Sequence, residues 1–165
     1  MAQVVRFIAY SDYLCPWCWV ASRRLERLAD EYHDRIEILW RSYLLRPVEK
    51  RNRDVAEFRR YTESWARPGA EPDSGEFRVW SSADPPPSHS IPAHRVAKAA
   101  ARVSSEAFRR MHTRLMVAYF TENRDISSFD VLRELWLGEG FEEAAFAVAR
   151  QDELEAEVLR DHEEA

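Results

Sequence analysis

The chain has 165 residues, of which 45% are hydrophobic, and a formal net charge of −5 at pH 7. This length predicts one domain, or one domain with a helical insertion, with enough apolar side chains for a core. Lys and Arg form no concentrated stripe, which argues against nucleic acid as a partner. No segment approaches the roughly 20 apolar residues that span a bilayer, and the first residues do not resemble a secretory signal. We therefore expect a cytoplasmic protein with no membrane partner.

The first predicted elements are a strand, a helix and a second strand. Residues 4–10 are rich in strand-forming types and predict a buried strand. Residues 15–33 predict a helix, because apolar residues recur there at intervals of three and four. Residues 36–43 alternate in hydropathy and predict the second strand. This order predicts a βαβ unit with a parallel strand pair and a right-handed crossover.

The chain's two cysteines, Cys15 and Cys18, follow the first strand and open the predicted helix. A Cys-x-x-Cys sequence at that place is typical of a redox-active dithiol. Unpaired N–H groups and the helix dipole favour negative charge there, and Pro16 suits an early helix position because it has no N–H. A thiol in this environment has a pKa below the usual value of about 8.5. We predict that Cys15 is the attacking thiolate and partly exposed, and that Cys18 is the more buried resolving thiol.

Two other interpretations of the cysteines are open. They are consistent with ordinary core residues, because free cysteine is often buried. A structural zinc site needs four ligands, usually with a second pair at short spacing, and His89 and His94 are too scattered to supply it within one chain. A zinc site shared across a dimer is the remaining form of that alternative, and we expect no metal in the single chain.

Side chains near the dithiol have alternative roles. Trp17 is expected either to form a hydrophobic lip for substrates or to pack, whereas Trp19 is expected to pack. Asp12 is expected in a turn or capping role, with an influence on proton transfer at the dithiol as the alternative. Arg41, on the second strand, is expected to pair with a carboxylate.

After Pro47 the pattern changes from strand to helix and loop. Residues 53–66 predict an amphipathic helix, and residues 67–91 predict a long Pro-rich loop with an extended segment at 85–87. Loops of this length are usually functional or mobile. The apolar side of the predicted helix consists of Val55, Phe58, Tyr61 and Trp65.

From Pro92 onward the sequence predicts helices. Their expected ranges are 93–102, about 105–120, 129–137, 141–150 and 152–163. Ser104 or Ser105, and later Ser127 or Ser128, are the expected N-caps, and Gly138 is an expected stop. Met111, Leu115 and Met116 form a stripe that predicts core packing.

Four stretches of the sequence resemble one family, the DsbA-like thioredoxin-fold oxidoreductases, in the FrnE-like branch related to 2-hydroxychromene-2-carboxylate isomerases. The resemblance implies an α/β fold, predominantly helical, in which a thioredoxin-like βαβ portion (1–50) carries the dithiol and a helical insertion (51–165) faces it. The resemblance also implies that His94 and Arg95 face the active-site cleft. The residues alone favour a different position for both, on a solvated helix surface. The stretches are 11–18 with 23–26, 40–41 with 44–47, 93–100, and 118–127.

The sequence departs from the family after the insertion. The family continues with a Val-Pro segment, whose cis-proline lies beside the dithiol, and then with two strands and a helix. The last proline here is Pro92, so we expect a chain shortened at the C-terminal part of the thioredoxin fold. A two-stranded sheet would leave open edges, and we expect compensation by a homodimer or by strand pairing with a partner.

These observations predict a thiol–disulfide oxidoreductase that exchanges disulfides with thiol- or disulfide-containing proteins through Cys15 and Cys18. We expect no resident cofactor, with glutathione as a potential redox partner. A glutathione-dependent isomerase or kappa-type glutathione transferase is an alternative, although those relatives generally have serine at the place of Cys15. A non-catalytic remnant that binds a partner is the alternative outside enzymes.

Overall fold

A parallel pair of strands opens the fold in the computed structural model, which describes residues 4–165. Strand β1 (Val5–Ser11) pairs with β2 (Ile36–Ser42), with Val5 opposite Ile36 and Ser11 opposite Ser42. They are joined by helix α1 (Pro16–Tyr32) and a 3-10 turn at His33–Arg35. The predicted βαβ unit is therefore confirmed, with element ends within two residues of the expected ones.

The remainder of the described chain is helical apart from the irregular segments 43–54 and 70–90 and shorter connections. Helix α2 (Val55–Thr62) continues through a 3-10 turn (Glu63–Trp65) into the short α3 (Ala66–Gly69). The later helices are α4 (Ile91–Val103), α5 (Ser105–Phe120), α6 (Phe129–Gly138), α7 (Glu143–Phe146), a 3-10 turn (Ala147–Arg150) and α8 (Asp152–Glu164).

Local sequence signals explain where several helices begin. Pro92 lies in the first turn of α4, where its missing N–H needs no partner. The Ser104 side chain accepts a hydrogen bond from the Ala107 N–H at 3.0 Å and caps α5. Ser128 precedes α6, although its side chain makes no capping hydrogen bond.

Two details of the segment after β2 differ from the prediction. Tyr61 is half exposed, whereas Phe58 and Trp65 are buried. Tyr61 lies at the edge of the apolar side, with its ring 5.7 Å from that of Phe58, and so shields the buried ring from solvent. The loop also begins later than expected, because residues 66–69 are helical and the helical segment ends directly after Pro68 and Gly69.

Strand β1 is exposed, so the prediction of a buried strand is wrong. Phe7 and Ile8 are 45% and 59% exposed, and Tyr10 is 38% exposed. Each strand has one partner in the two-stranded sheet, and α1 and α8 pack on β2. Apolar residues of β1 therefore remain at the surface on both faces. Association of two copies through this strand stays a prediction.

One core cluster joins the dithiol region to the helices. Met111, Leu115 and Met116 are fully buried in it, as their spacing predicted, and Cys18 packs against its edge. Because the cluster contains residues from both sides of residue 50, the predicted division at that point is not visible as a gap in packing. The division into a 1–50 portion and a 51–165 insertion stays a prediction. Its aromatic members include Trp19, Trp65, Trp80, Phe120 and Trp136.

The loop before α4 is packed onto this core. Trp80 is fully buried, and its backbone N–H donates to the Thr62 hydroxyl at 2.9 Å. The Arg78 N–H donates to the Phe120 carbonyl at 2.9 Å, and Asn123, which has φ of 54°, accepts from the Ser81 N–H at 2.8 Å. Residues 85–87 are non-helical, as predicted.

The last helix is fixed to β2 through a buried carboxylate. Asp161 accepts hydrogen bonds from Arg41 at 2.9 Å, from the Ser42 N–H at 3.0 Å and from Lys98 at 2.7 Å. The prediction that Arg41 pairs with a carboxylate is confirmed. These contacts bring α4, α8 and β2 together.

Two further observations concern the helices and the peptide bonds. Within residues 4–165, no helix combines the length and apolar character needed to cross a membrane. The same residues contain no cis peptide bond.

Candidate functional site

The two cysteines lie at the start of α1, where the sequence places them. Cys15 is the N-cap residue, with extended backbone, and Cys18 lies in the first turn. The N–H groups of Cys18 and Trp19 both reach the Cys15 carbonyl, at 3.1 and 3.4 Å. Both thiols are free and half-buried, and Cys18 packs against the core. The strand–turn–helix geometry therefore brings two reduced sulfurs together near the surface.

A hydrogen bond between the two sulfurs changes their pKa values in opposite directions. The hydrogen bond from Cys15 lowers the pKa of Cys18 to about 6. The same hydrogen bond, together with burial, raises the pKa of Cys15 above its ordinary value. The prediction of a lowered pKa at Cys15 is therefore wrong for this arrangement, because Cys15 holds the proton that the pair shares. The pair as a unit still carries a negative charge at neutral pH.

Polar groups from the end of β1 support that charge. Ser11 and the Asp12 backbone N–H lower the pKa of Cys18 and so favour its thiolate. The N–H groups of Trp17 and Cys18 act in the same way on Cys15. The Asp12 carboxylate opposes the charge on Cys18. Backbone N–H groups therefore stabilise a thiolate on either sulfur.

Asp12 is fully buried and holds in place residues 12–15, the dithiol loop between β1 and α1. Its carboxylate accepts from the Leu14 N–H at 2.5 Å and from the Leu45 N–H at 2.8 Å. Burial alone would raise the pKa of Asp12, but His94, Ser90 and the Leu14 N–H together lower it. The expected turn role is therefore present, and the carboxylate also ties the loop to the exit of β2.

His94 and Arg95 are buried, so the solvated surface favoured by the residues alone is wrong. The His94 ring packs edge-on against Tyr13, with centroids 4.8 Å apart. Arg95 points toward the C-terminal segment, where it donates to the Ala149 carbonyl at 2.7 Å and to Glu155 at 2.6 Å. His94 thus lies beside the dithiol loop and Arg95 does not. Their burial follows from the packing of α4 between the loop and the last helices.

Sequence reasoning missed His112, a buried residue of α5. Its Nδ1 lies 2.9 Å from the Tyr13 hydroxyl and its Nε2 lies 2.7 Å from the Ser22 hydroxyl. Burial lowers the pKa of His112 to about 3 and raises that of Tyr13. The partners are 99 and 90 residues away in sequence, so no local pattern signals the contact.

The two tryptophans beside the cysteines have different surroundings. Trp17 is 49% exposed, whereas Trp19 is 2% exposed. Trp19 stacks on Phe120 at 5.3 Å and contacts Phe77 at 4.7 Å, which confirms the packing expected for it. Gly75 lies so close to the Trp19 ring that an added Cβ would be 2.0 Å from the indole. Trp17 remains available to a molecule that approaches the dithiol.

The described residues hold no cluster of metal ligands at the dithiol, and a large cleft lies away from the two cysteines. Among residues 4–165, no three His, Cys, Asp or Glu side chains are placed to hold a metal ion. A cleft of about 1050 Å³ lies between α1, β2 and α5, and neither cysteine lines it. Trp40, Phe108 and His112 form part of its apolar wall.

Comparison with known proteins places these features in a family. The model of the DSBA-like thioredoxin domain matches residues 6–165. A search of curated proteins gave no match. Solved structures with a similar fold include a candidate protein disulfide isomerase from Nitrosomonas europaea, at 18% identity and a TM-score of 0.77, covering 99% of this chain and 78% of that one.

Two further solved structures resemble the chain. The cytosolic disulfide reductase DsbM from Pseudomonas aeruginosa is 22% identical with a TM-score of 0.70, and covers 96% of this chain and 77% of DsbM. A probable DsbA oxidoreductase from Streptomyces coelicolor is 20% identical with a TM-score of 0.72, and covers 97% of this chain and 74% of that one. At these identities the similarity is evidence for the fold.

Proposed function

Because this chain belongs to the DsbA-like thioredoxin-domain family, we propose that it is a thiol–disulfide oxidoreductase acting through Cys15 and Cys18. The observation that carries the proposal is the pair of free thiols at the start of α1, joined by a hydrogen bond that lowers the pKa of Cys18 to about 6. A dithiol that holds a thiolate at neutral pH has the nucleophile that disulfide exchange requires.

The proposed reaction proceeds in two exchange steps. The Cys15 thiolate attacks one sulfur of a substrate disulfide, forms a mixed disulfide and releases the other substrate sulfur as a thiolate. Cys18 then attacks Cys15 in the mixed disulfide, forms the Cys15–Cys18 disulfide and releases the second substrate thiolate. Two electrons pass from the dithiol to the substrate, the one proton that the pair shares goes to a released thiolate, and solvent supplies any further proton. The reverse sequence delivers a disulfide to a substrate dithiol.

We assign the attack to Cys15 because of its place on the helix. Cys15 precedes the first helical residue, whereas Cys18 packs against the core. Transfer of the shared proton from Cys15 to Cys18 along their hydrogen bond would put the charge on Cys15, where the N–H groups of Trp17 and Cys18 receive it. Trp17, which is 49% exposed beside the dithiol, is proposed to contact apolar parts of the substrate.

Glutathione and thiol- or disulfide-containing proteins are the proposed reaction partners. One of the similar structures is DsbM from Pseudomonas aeruginosa with GSH. DsbM is described as cytosolic, and we propose a cytoplasmic location for this chain as well. Cell fractionation of the source organism with an antibody to this protein would test the location.

Mixed-disulfide trapping tests the proposed function and the two roles. Cys18→Ser is expected to accumulate a mixed disulfide with a disulfide-containing protein, because the resolving thiol is gone. Cys15→Ser is expected to accumulate none and to lose exchange. Non-reducing gels and intact mass measure both outcomes. Equal trapping by the two variants would contradict the roles, and absence of exchange in the wild-type protein would contradict the function.

A further inference from the structure

A buried imidazole on helix α5 contacts residues on both sides of the dithiol motif. His112, on α5, is 2% exposed. One of its ring nitrogens contacts the Tyr13 hydroxyl at 2.9 Å, and the other contacts the Ser22 hydroxyl at 2.7 Å. Tyr13 is two residues before Cys15, and Ser22 is four residues after Cys18 on α1. The imidazole therefore connects the segment before the dithiol, through Tyr13, with helix α1 after the dithiol, through Ser22.

The chemistry of the three groups suits a neutral bridge. A neutral imidazole has one donor and one acceptor nitrogen, and each hydroxyl is able to donate or accept. Both ring nitrogens are therefore satisfied when one hydroxyl donates and the other accepts. Because burial lowers the pKa of His112 to about 3, the ring stays neutral at physiological pH. Burial also keeps Tyr13 in its phenol form by raising its pKa.

The surrounding rings restrict movement of the bridge. Tyr13 packs edge-on against both His112 and His94, with centroids 5.3 and 4.8 Å apart. Trp40 and Phe108 contact the His112 ring at 4.5 and 5.4 Å. The ring therefore has little freedom to rotate away from either hydroxyl, and a shift of the dithiol loop relative to α1 would break at least one of its hydrogen bonds.

We propose that His112 is a positioning residue for the dithiol, holding residues 13–22 so that Cys15 and Cys18 stay together at the start of α1. The inference rests on the proposed function of the dithiol in exchange. It adds a residue outside the Cys-x-x-Cys motif that sets the balance between dithiol and disulfide. Because the bridge stabilises the reduced arrangement, its loss should favour the disulfide, and the pair should become a weaker oxidant.

Single-atom deletions test the bridge with little change of volume. Tyr13→Phe and Ser22→Ala each remove one hydroxyl from His112. Thr113→Val is the matched control, because Thr113 also links α5 to α1, through a 3.3 Å hydrogen bond to Glu26, but does not reach the dithiol loop. We expect each deletion to raise the equilibrium constant for Cys15–Cys18 disulfide formation against glutathione by about tenfold, or about 30 mV. The control should stay within about twofold of wild type.

A double-mutant cycle separates bridging from general loosening. If both hydroxyls act through one imidazole, the Tyr13→Phe/Ser22→Ala variant should change the constant by clearly less than the product of the single changes. In a His112→Leu background the two deletions should have no further effect on the constant. Additive effects, or a Thr113→Val change as large as the others, would overturn the proposal.

Two measurements keep this proposal separate from the proposed function. The alkylation rate of the thiols as a function of pH reports the acidity of the pair even in a chain that forms no disulfide. Nitrogen chemical shifts of labelled His112 report whether one ring nitrogen is protonated and the other is not. If wild-type protein forms no disulfide, the proposed function fails. The bridge still fails independently if Tyr13→Phe leaves the alkylation profile unchanged or if His112 titrates between pH 5 and 8.

Discussion

Nε2 of His94 and Oδ2 of Asp12 lie 3.8 Å apart in the interior, where the dithiol loop meets α4. The Asp12 carboxylate also accepts hydrogen bonds from the N–H groups of Leu14 and Leu45. One buried side chain thus joins the end of β1, the exit of β2 and the helical part of the fold. This relationship explains how a loop that carries two reactive sulfurs is held in one conformation.

Asp12→Asn is expected to destabilise the protein by about 2 kcal/mol at pH 7, because a buried charge-assisted acceptor of backbone N–H groups is lost. Since the folded-state pKa of Asp12 lies below its unfolded value of 3.8, its contribution is present above about pH 4 and disappears as pH falls further. The variant should therefore show a flatter dependence of unfolding free energy on pH below 4. Urea unfolding at several pH values measures this.

Asp54→Asn provides the control for that comparison. Asp54 is an exposed N-cap residue that accepts the Glu57 N–H at 2.8 Å, and asparagine is an equally good cap. Its unfolding free energy should stay within about 0.5 kcal/mol of wild type. Equal effects of the two substitutions would contradict the role assigned to Asp12.

The acidity of the dithiol depends on the hydrogen bond between the two sulfurs. Wild-type protein should react with iodoacetamide with a midpoint near pH 6, the pKa of Cys18. Cys15→Ala removes the donor and should raise the midpoint at Cys18, whereas Cys15→Ser retains a donor and should leave it near its original value. Mass-detected alkylation rates between pH 4 and 10 measure these midpoints. Identical midpoints in the alanine and serine variants would exclude the sulfur–sulfur hydrogen bond as the cause.

Gly75→Ala should destabilise the protein by about 1–3 kcal/mol, because the new Cβ would lie 2.0 Å from the buried Trp19 ring. The near-ultraviolet circular dichroism should change as well, since the indole must move. Gly138→Ala is the matched control, because no atom lies within 4 Å of its added Cβ. The control should be neutral or slightly stabilising. A stable Gly75→Ala variant with an unchanged Trp19 environment would contradict the packing of the loop.

Asp161→Asn should weaken the attachment of α8 to β2 and cost about 2 kcal/mol, because its carboxylate accepts from Lys98, Arg41 and the Ser42 N–H in a buried position. Hydrogen exchange should become faster in α8. The exposed ion pair of Arg6 and Glu37 gives the comparison, and Glu37→Gln should change stability by less than about 1 kcal/mol. Equal costs would show that burial of Asp161 contributes nothing.

Much of the element order could be predicted from the sequence, because the signals are local. Ser104 caps α5 through its own side chain, Pro92 enters the first turn of α4, and Cys15 marks the start of α1. Each of these depends on a few neighbouring residues. The family resemblance also rested on short stretches, and the match to the DsbA-like domain over residues 6–165 agrees with it.

The contacts that complete the site could not be predicted, because their partners are distant in sequence. His112 reaches Tyr13 and Ser22 across 99 and 90 residues, and Arg95 reaches Glu155 across 60. The exposure of β1 was also missed, since an apolar strand sequence does not report which elements pack on it. The position of the shared proton on Cys15 depends on side-chain geometry that the spacing of the motif does not specify.

A redox titration of the purified chain in glutathione buffers, quenched by alkylation and analysed by intact mass, tests the central claim most directly. The account predicts a reversible intramolecular disulfide between Cys15 and Cys18, with one midpoint and no persistent glutathione adduct. Failure to form that disulfide at any glutathione ratio, or accumulation of glutathione adducts alone, would contradict the assignment of this chain as a dithiol oxidoreductase.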